Sequence, residues 1–158
     1  MRAVWLILIL SSSGCVAQAP AVCPWLSTGS AAEALGGPVE TDLNIENSSQ
    51  GTCRFTHESG NEQESIEINI GKLDTHPCPA DSAKIVGLGN EALECRMTKA
   101  DGPVLELIAG RVRNIYFVVA IKNPHAKSTA NPEAAYRGDP AKVHILELVA
   151  EQVVGNLY

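Results

Sequence analysis

Five cysteines, at positions 15, 23, 53, 78 and 95, constrain this chain more than any other feature. An odd set cannot pair completely, so the framework depends on which cysteine stands apart. The first residues answer that. Met1 and Arg2 give a short positive start, Ala3 to Leu10 is an unbroken apolar run, and small or polar residues follow from Ser11. This three-part layout is that of an export signal. The run falls far short of the roughly 20 apolar residues that a membrane-crossing helix needs.

Two cleavage readings follow. In one, Ser13 and Gly14 precede Cys15 as in a bacterial lipoprotein signal, and Cys15 becomes the acylated (palmitate-type) first residue; Ser12 departs from that pattern, which usually carries an apolar residue there. In the other, Ala17, Gln18 and Ala19, or Ala19, Pro20 and Ala21, form an A-x-A site. The lipoprotein reading is favoured, because a Gly-Cys pair directly after an apolar run is an uncommon coincidence. Under both readings Cys15 leaves the fold, and Cys23, Cys53, Cys78 and Cys95 remain.

An even cysteine set in an exported chain reads as a disulfide framework. Four cysteines allow three connectivities. Pairing Cys23 with Cys53 and Cys78 with Cys95 closes modest loops between neighbouring predicted elements, each worth roughly 3 to 4 kcal/mol by chain entropy. No two of the four stand in a C-x-x-C spacing, which argues against a zinc site. The organisation expected is therefore a signal over 1–14, a tether over 15–22 and one domain over 23–158.

Without the signal the chain carries eleven basic against eighteen acidic side chains, a formal charge of −7, since Arg2 is the one charge removed. An acidic chain without basic runs is a poor partner for nucleic acid or an anionic membrane surface. Aromatic residues make up 4%, too few for a base-stacking platform. The membrane connection expected is the lipid anchor alone.

Along the domain, "STGSAAEALGGPV" from Ser27 has the punctuation of a two-turn helix, with a hydroxyl N-cap, an Ala-rich interior and a Gly36, Gly37, Pro38 stop. "TCRFT" and "ESIEINI" alternate with period two, which places Ile66, Ile68 and Ile70 inward and Glu67 and Asn69 outward. "LDTHPCPADSA" is broken by Pro77 and Pro79 and reads as a loop; "EALECRMT" and "VLELIAG" read as strands about a turn at Asp101 and Gly102. Gly110 leads into "RVRNIYFVVAI", where Ile115 to Ile121 predicts a strand buried on both faces.

Residues 122–138, from Lys122 to Gly138, form a polar, Pro-punctuated stretch that is long for a connection and reads as either a functional loop or a mobile one. Asp139 and Pro140 then start a helix whose apolar stripe is Val143, Leu146, Ala150, Val153 and Leu157, with Gly155 near its end. The fold class predicted is α+β: an antiparallel sheet of about five strands, with an N-terminal and a C-terminal helix packed on one face.

Few residue groups point to chemistry. "GLGNEA", Gly87 to Ala92, matches a dinucleotide fingerprint, but that motif needs a strand before it and a helix after it. Here a strand follows, so a glycine turn is the better reading. His144, Glu147 and Glu151 share a helix face and could approach a divalent metal, but an ordinary polar face opposite the apolar stripe is the better account of them. His76 beside Cys78 is a weaker candidate still. Asn47 opens a glycosylation sequon that a bacterial-type signal makes incidental. Tyr116 and Phe117 are core candidates, and Tyr136, near Arg137 in the long loop, is a candidate contact residue. No nucleophile elbow, H-E-x-x-H or P-loop occurs.

A cysteine shortly before a helix ending in "ALGGPV", a second cysteine in "CRF" on the next strand, a later "GLGNEA" and a closing helix resemble a family of small bacterial cell-envelope lipoproteins known only as a domain of unknown function. The resemblance covers most of Cys23 to Tyr158. It departs at Leu73 to Ala83, which is short where another helix is expected. It implies an α+β sandwich with a disulfide from the first helix to the sheet, and no established catalysis.

The function expected is a non-enzymatic envelope module, without metal or cofactor, that binds a small apolar ligand or an envelope protein. The competing reading is a metal-dependent hydrolase or other envelope enzyme using His144, Glu147 and Glu151.

Overall fold

A computed structural model describes residues 22–72, 77–79, 81–98, 104–123 and 140–158. Among these, seven strands form one antiparallel sheet: β1 (Glu40–Asn47), β2 (Gln50–Ser59), β3 (Glu62–Gly71), β4 (Ala83–Lys84), β5 (Glu91–Thr98), β6 (Val104–Val112) and β7 (Ile115–Asn123). Their order is β1-β2-β3-β7-β6-β5-β4. The sheet is thus two meanders, β1 to β3 and β4 to β7, joined where β3 pairs with β7. Helices α1 (Thr28–Leu35) and α2 (Pro140–Gly155) share one side: α1 packs on α2, β2 and β3, and α2 on β6 and β7.

The antiparallel sheet and the two terminal helices agree with the sequence; the strand count does not. It is seven rather than about five, because β1 and the two-residue β4 are edge strands. An edge strand needs little apolar content. In β1 only Leu43 and Ile45 are half-buried, and its other six residues are exposed. Strand β6 also runs past Gly110 to Val112, and the chain reverses at Arg113 and Asn114. Lys122, expected to open a loop, is the eighth residue of the nine-residue β7.

The core lies between the helices and the sheet. Ile66, Ile68 and Ile70 of β3, Cys53 and Phe55 of β2, Phe117, Val119 and Ile121 of β7, and Ile108 of β6 meet Leu35, Leu146, Val149, Ala150 and Val153 from the helices. Each fully buried aliphatic or aromatic side chain of this kind contributes about 1.5–3 kcal/mol. Val118 and Ala120 are buried on the opposite side of β7, so this strand is buried on both faces as its apolar run requires.

Trp25, which no periodicity marks, is the largest fully buried side chain. Its indole Nε1 donates to the Ser48 carbonyl at 3.0 Å, and its own carbonyl accepts from Asn156 Nδ2 at 3.0 Å. A single residue ahead of α1 therefore ties together the β1–β2 turn and the end of α2. Cys23 bonds to Cys53 on β2, and Cys78 to Cys95 on β5, the pairing favoured by loop length.

The "GGP" stop has a physical account. Ser27 Oγ caps the start of α1 by accepting from Ser30 N–H, and Gly36 takes a left-handed conformation at φ 80° that a side chain would strain. The next glycine leaves room for the His57 ring, whose Nδ1 is 2.8 Å from the Pro38 carbonyl. "GLGNEA" is likewise structural. Leu88 is buried in the core, and Gly89, at φ 67°, lies where a Cβ would meet the Arg111 carbonyl. Asn90 then donates its N–H to that carbonyl and accepts, through Oδ1, from the N–H of Arg113. Strand β5 follows, so no helix N-terminus stands here to hold a pyrophosphate.

Candidate functional site

The face of the sheet turned away from both described helices is divided along the β3–β7 seam. In antiparallel pairing, residues in register share a face, so the rows can be read across the strands. One row runs Asp42, Arg54, Glu67, Ala120, Leu107, Cys95; the next runs Asn44, Thr52, Asn69, Val118, Ala109, Leu93. A third runs Thr56, Ser65, Lys122, Leu105, Met97. The first meander contributes polar side chains to this face and the second apolar ones. Charged side chains on the second meander's half of this face are Lys122, Lys84 beside Leu93 on the edge strand, and Arg111, which is paired with Glu91 beyond these rows.

A groove of about 490 Å³ follows this boundary, with Arg54, Ser65, Glu67 and Asn69 along one wall and Leu105, Leu107, Val118 and Ala120 along the other. Lys122 and Asp42 also line it. A smaller cavity of about 260 Å³ adjoins it through Asn69 and is bounded by Asn44, Glu46 and Lys72. The larger volume falls within the range of small-molecule sites.

The polar wall is held by its own hydrogen bonds. Thr52 Oγ1 donates to Asn69 Oδ1 at 2.7 Å, Asn69 Nδ2 donates to Glu67 Oε1 at 2.9 Å, and Arg54 donates through Nε and Nη2 to Glu67 Oε2 at 3.1 and 2.7 Å. The bond to Glu67 is also the main reason that Arg54 is held above its ordinary pKa, with the charge of Asp42 adding to it. The chain of four side chains fixes the geometry of the wall and neutralises the charge of Arg54.

The apolar wall is fixed by the second disulfide. Cys95 faces this side of β5, and Cys78, bonded to it, packs with Leu107, Ala109, Val118 and Ala120 in a small second core. Among the described residues this core has no helix over it, and the bridged Cys78 does part of a helix's work.

The residues singled out from sequence divide among these features. Cys23, Cys53, Cys78 and Cys95 are in bridges. Cys15, His76, Tyr136, Arg137 and the segment 124–139 lie outside the described residues. Phe117 is fully buried, whereas Tyr116 faces away from the helices and is half-buried, a departure from its expected core role. Asn47 is exposed at the end of β1, where its Oδ1 accepts from Ser49 N–H at 2.8 Å.

His144, Glu147 and Glu151 are not grouped as a metal-holding set among the described residues. His144 and Glu151 are exposed on α2, and among the described residues no three His, Cys, Asp or Glu side chains are grouped to hold an ion. The helix stripe explains this: Leu146, Val149, Ala150 and Val153 take the buried face, which leaves the polar positions to spread around the remainder. Glu147 instead acts on Glu94 of β5.

The groove residues Asp42, Arg54, Leu107 and Lys122 were not candidates in the sequence. Alternation marked Glu67 and Asn69 as outward, but an outward residue becomes a wall only when register supplies the strand opposite. Comparison of the chain with protein families, with curated proteins and with solved structures finds no match in any of the three.

Proposed function

We propose that this chain is an exported envelope module, akin to the small bacterial envelope lipoproteins that its motifs resemble, which binds a small ligand with an apolar body in the groove on the sheet face turned away from both described helices. The observation that carries this reading is the groove itself, with an apolar wall beside a fixed, hydrogen-bonded polar one. Such a combination of apolar surface with a few oriented polar groups suits a small molecule better than a flat protein interface. Two disulfides fit an oxidising compartment outside the cytosol. No described helix is long and apolar enough to cross a membrane. Acylation at Cys15 would hold the domain at a membrane surface through the tether 16–22. The role proposed is binding rather than catalysis, because Thr52, Arg54, Glu67 and Asn69 of the polar wall are tied to one another by hydrogen bonds.

Native mass spectrometry of the protein released from its own envelope tests the ligand. A bound small molecule lost on Leu107→Asp, with the fold retained, is expected; unliganded protein, together with amide spectra unmoved by a panel of apolar compounds, overturns the reading. The anchor is tested separately. Partition into detergent should vanish on Cys15→Ser, and unchanged partition would reject acylation.

A further inference from the structure

We propose that the ligand of this groove carries an anionic head, and that Lys122 receives it; the inference rests on the groove being a binding site. The charges around the groove do not cancel locally. Arg54 and Glu67 neutralise each other through the 2.7 Å contact. Asp42 sits beyond Arg54 on β1, three strands from β7 in the sheet order. At about 4.8 Å between strands that separation is roughly 14 Å, beyond the screening length of about 8 Å at physiological salt. Lys122 has no ion-pair partner among the described residues, and it stands in register between Ser65 and Leu105.

The side chains next to Lys122 on the β6–β7 side are apolar: Leu105 directly across, then Leu107 and Ala120 in the adjoining row. Placing an ammonium beside an apolar wall lowers the local dielectric and strengthens its attraction for an anion. The ammonium presents three donors and no acceptor, so it selects oxygen anions over cations and has no preference for a neutral hydroxyl comparable to that for a carboxylate or phosphate. The body of the ligand then lies along Leu105, Leu107 and Ala120, and Ser65 can supply a hydroxyl to the head. The class specified is a small anionic amphiphile.

The test is a titration of the full chain carrying Cys15→Ser, followed by amide chemical shifts, with three probes: decanoate, 1-decanol and acetate. Decanoate should move amides of β3, β6 and β7, 1-decanol and acetate should bind at least tenfold more weakly, Lys122→Gln should weaken decanoate about tenfold, and Lys122→Arg should retain it. The Lys122→Gln spectrum without probe serves as the check on folding. Equal binding of 1-decanol, or decanoate affinity unchanged in Lys122→Gln, overturns the anionic head and leaves the groove a binding site. Acetate as strong as decanoate overturns the amphiphile. No response to any probe removes both this inference and the function on which it rests.

Discussion

Glu94 lies on the helix side of β5, in register with buried Ile108, and among the described residues it has no ion-pair partner. Burial raises its carboxyl above the ordinary range, and the nearby Glu147 and Glu106 carboxylates raise it further. Glu106 itself is only 2% exposed and is satisfied by Arg96, which forks onto Oε1 at 2.9 and 2.6 Å. A carboxyl whose pKa is raised by folding stabilises the fold below its unfolded pKa and loses that contribution as pH rises through the folded value. At neutral pH ionised Glu94 is therefore a net cost. Glu94→Gln should raise the unfolding free energy at pH 7 by a fraction of a kcal/mol, and Tm with it, these charges being partly solvated. The gain should shrink to nothing as pH falls below about 4, and thermal scans across that window check it. A gain independent of pH would assign the effect to something other than ionisation. Nothing in "EALECRMT" reveals this position, since its carboxylate neighbours arrive from β6 and α2 rather than from adjacent residues.

Strands β3 and β7 were legible because their core residues recur at period two or form an unbroken β-branched run, patterns imposed by burial itself. α1 was legible for a different reason: Ser27 and Gly36 satisfy its ends locally. β1 was not, because an edge strand is stabilised by pairing along one side, and "ETDLNIEN" buries too little to show it. The groove was illegible on the same ground, as register across the β3–β7 seam creates it. The second bridge, by contrast, was read from cysteine number and loop length alone, and it fixes the apolar wall. Replacing Cys78 and Cys95 together by alanine should cost about 3 kcal/mol in unfolding free energy, as expected for a closed loop of 17 residues. Denaturant titration measures it. The same variant should broaden the amide signals of Leu107 and Val118 more than those of Ile66 and Ile68 in the main core; equal broadening would separate the bridge from the groove.

The whole molecule is a sheet with two unlike sides, one closed by the helices and one divided into polar and apolar halves. Its start is fastened at three places: Cys23 to β2, the Trp25 indole to the β1–β2 turn, and the Trp25 carbonyl to the end of α2. For a tethered protein this arrangement sets a path for mechanical load. Tension on Val22 bypasses α1 and enters β2 through a covalent bond, and β2 is braced by β1 and β3 on either side. The segment between Cys23 and Cys53 is also withheld from extension. With a separation of 30 residues and at most about 3.5 Å per residue, reduction should lengthen the fully stretched chain by about 100 Å. Single-molecule pulling before and after reduction, with Cys78 and Cys95 replaced, reads that difference directly; equal lengths would mean that the first bridge carries no force. Were the chain held through the residues before Val22, as proposed, the tension would not pass along α1.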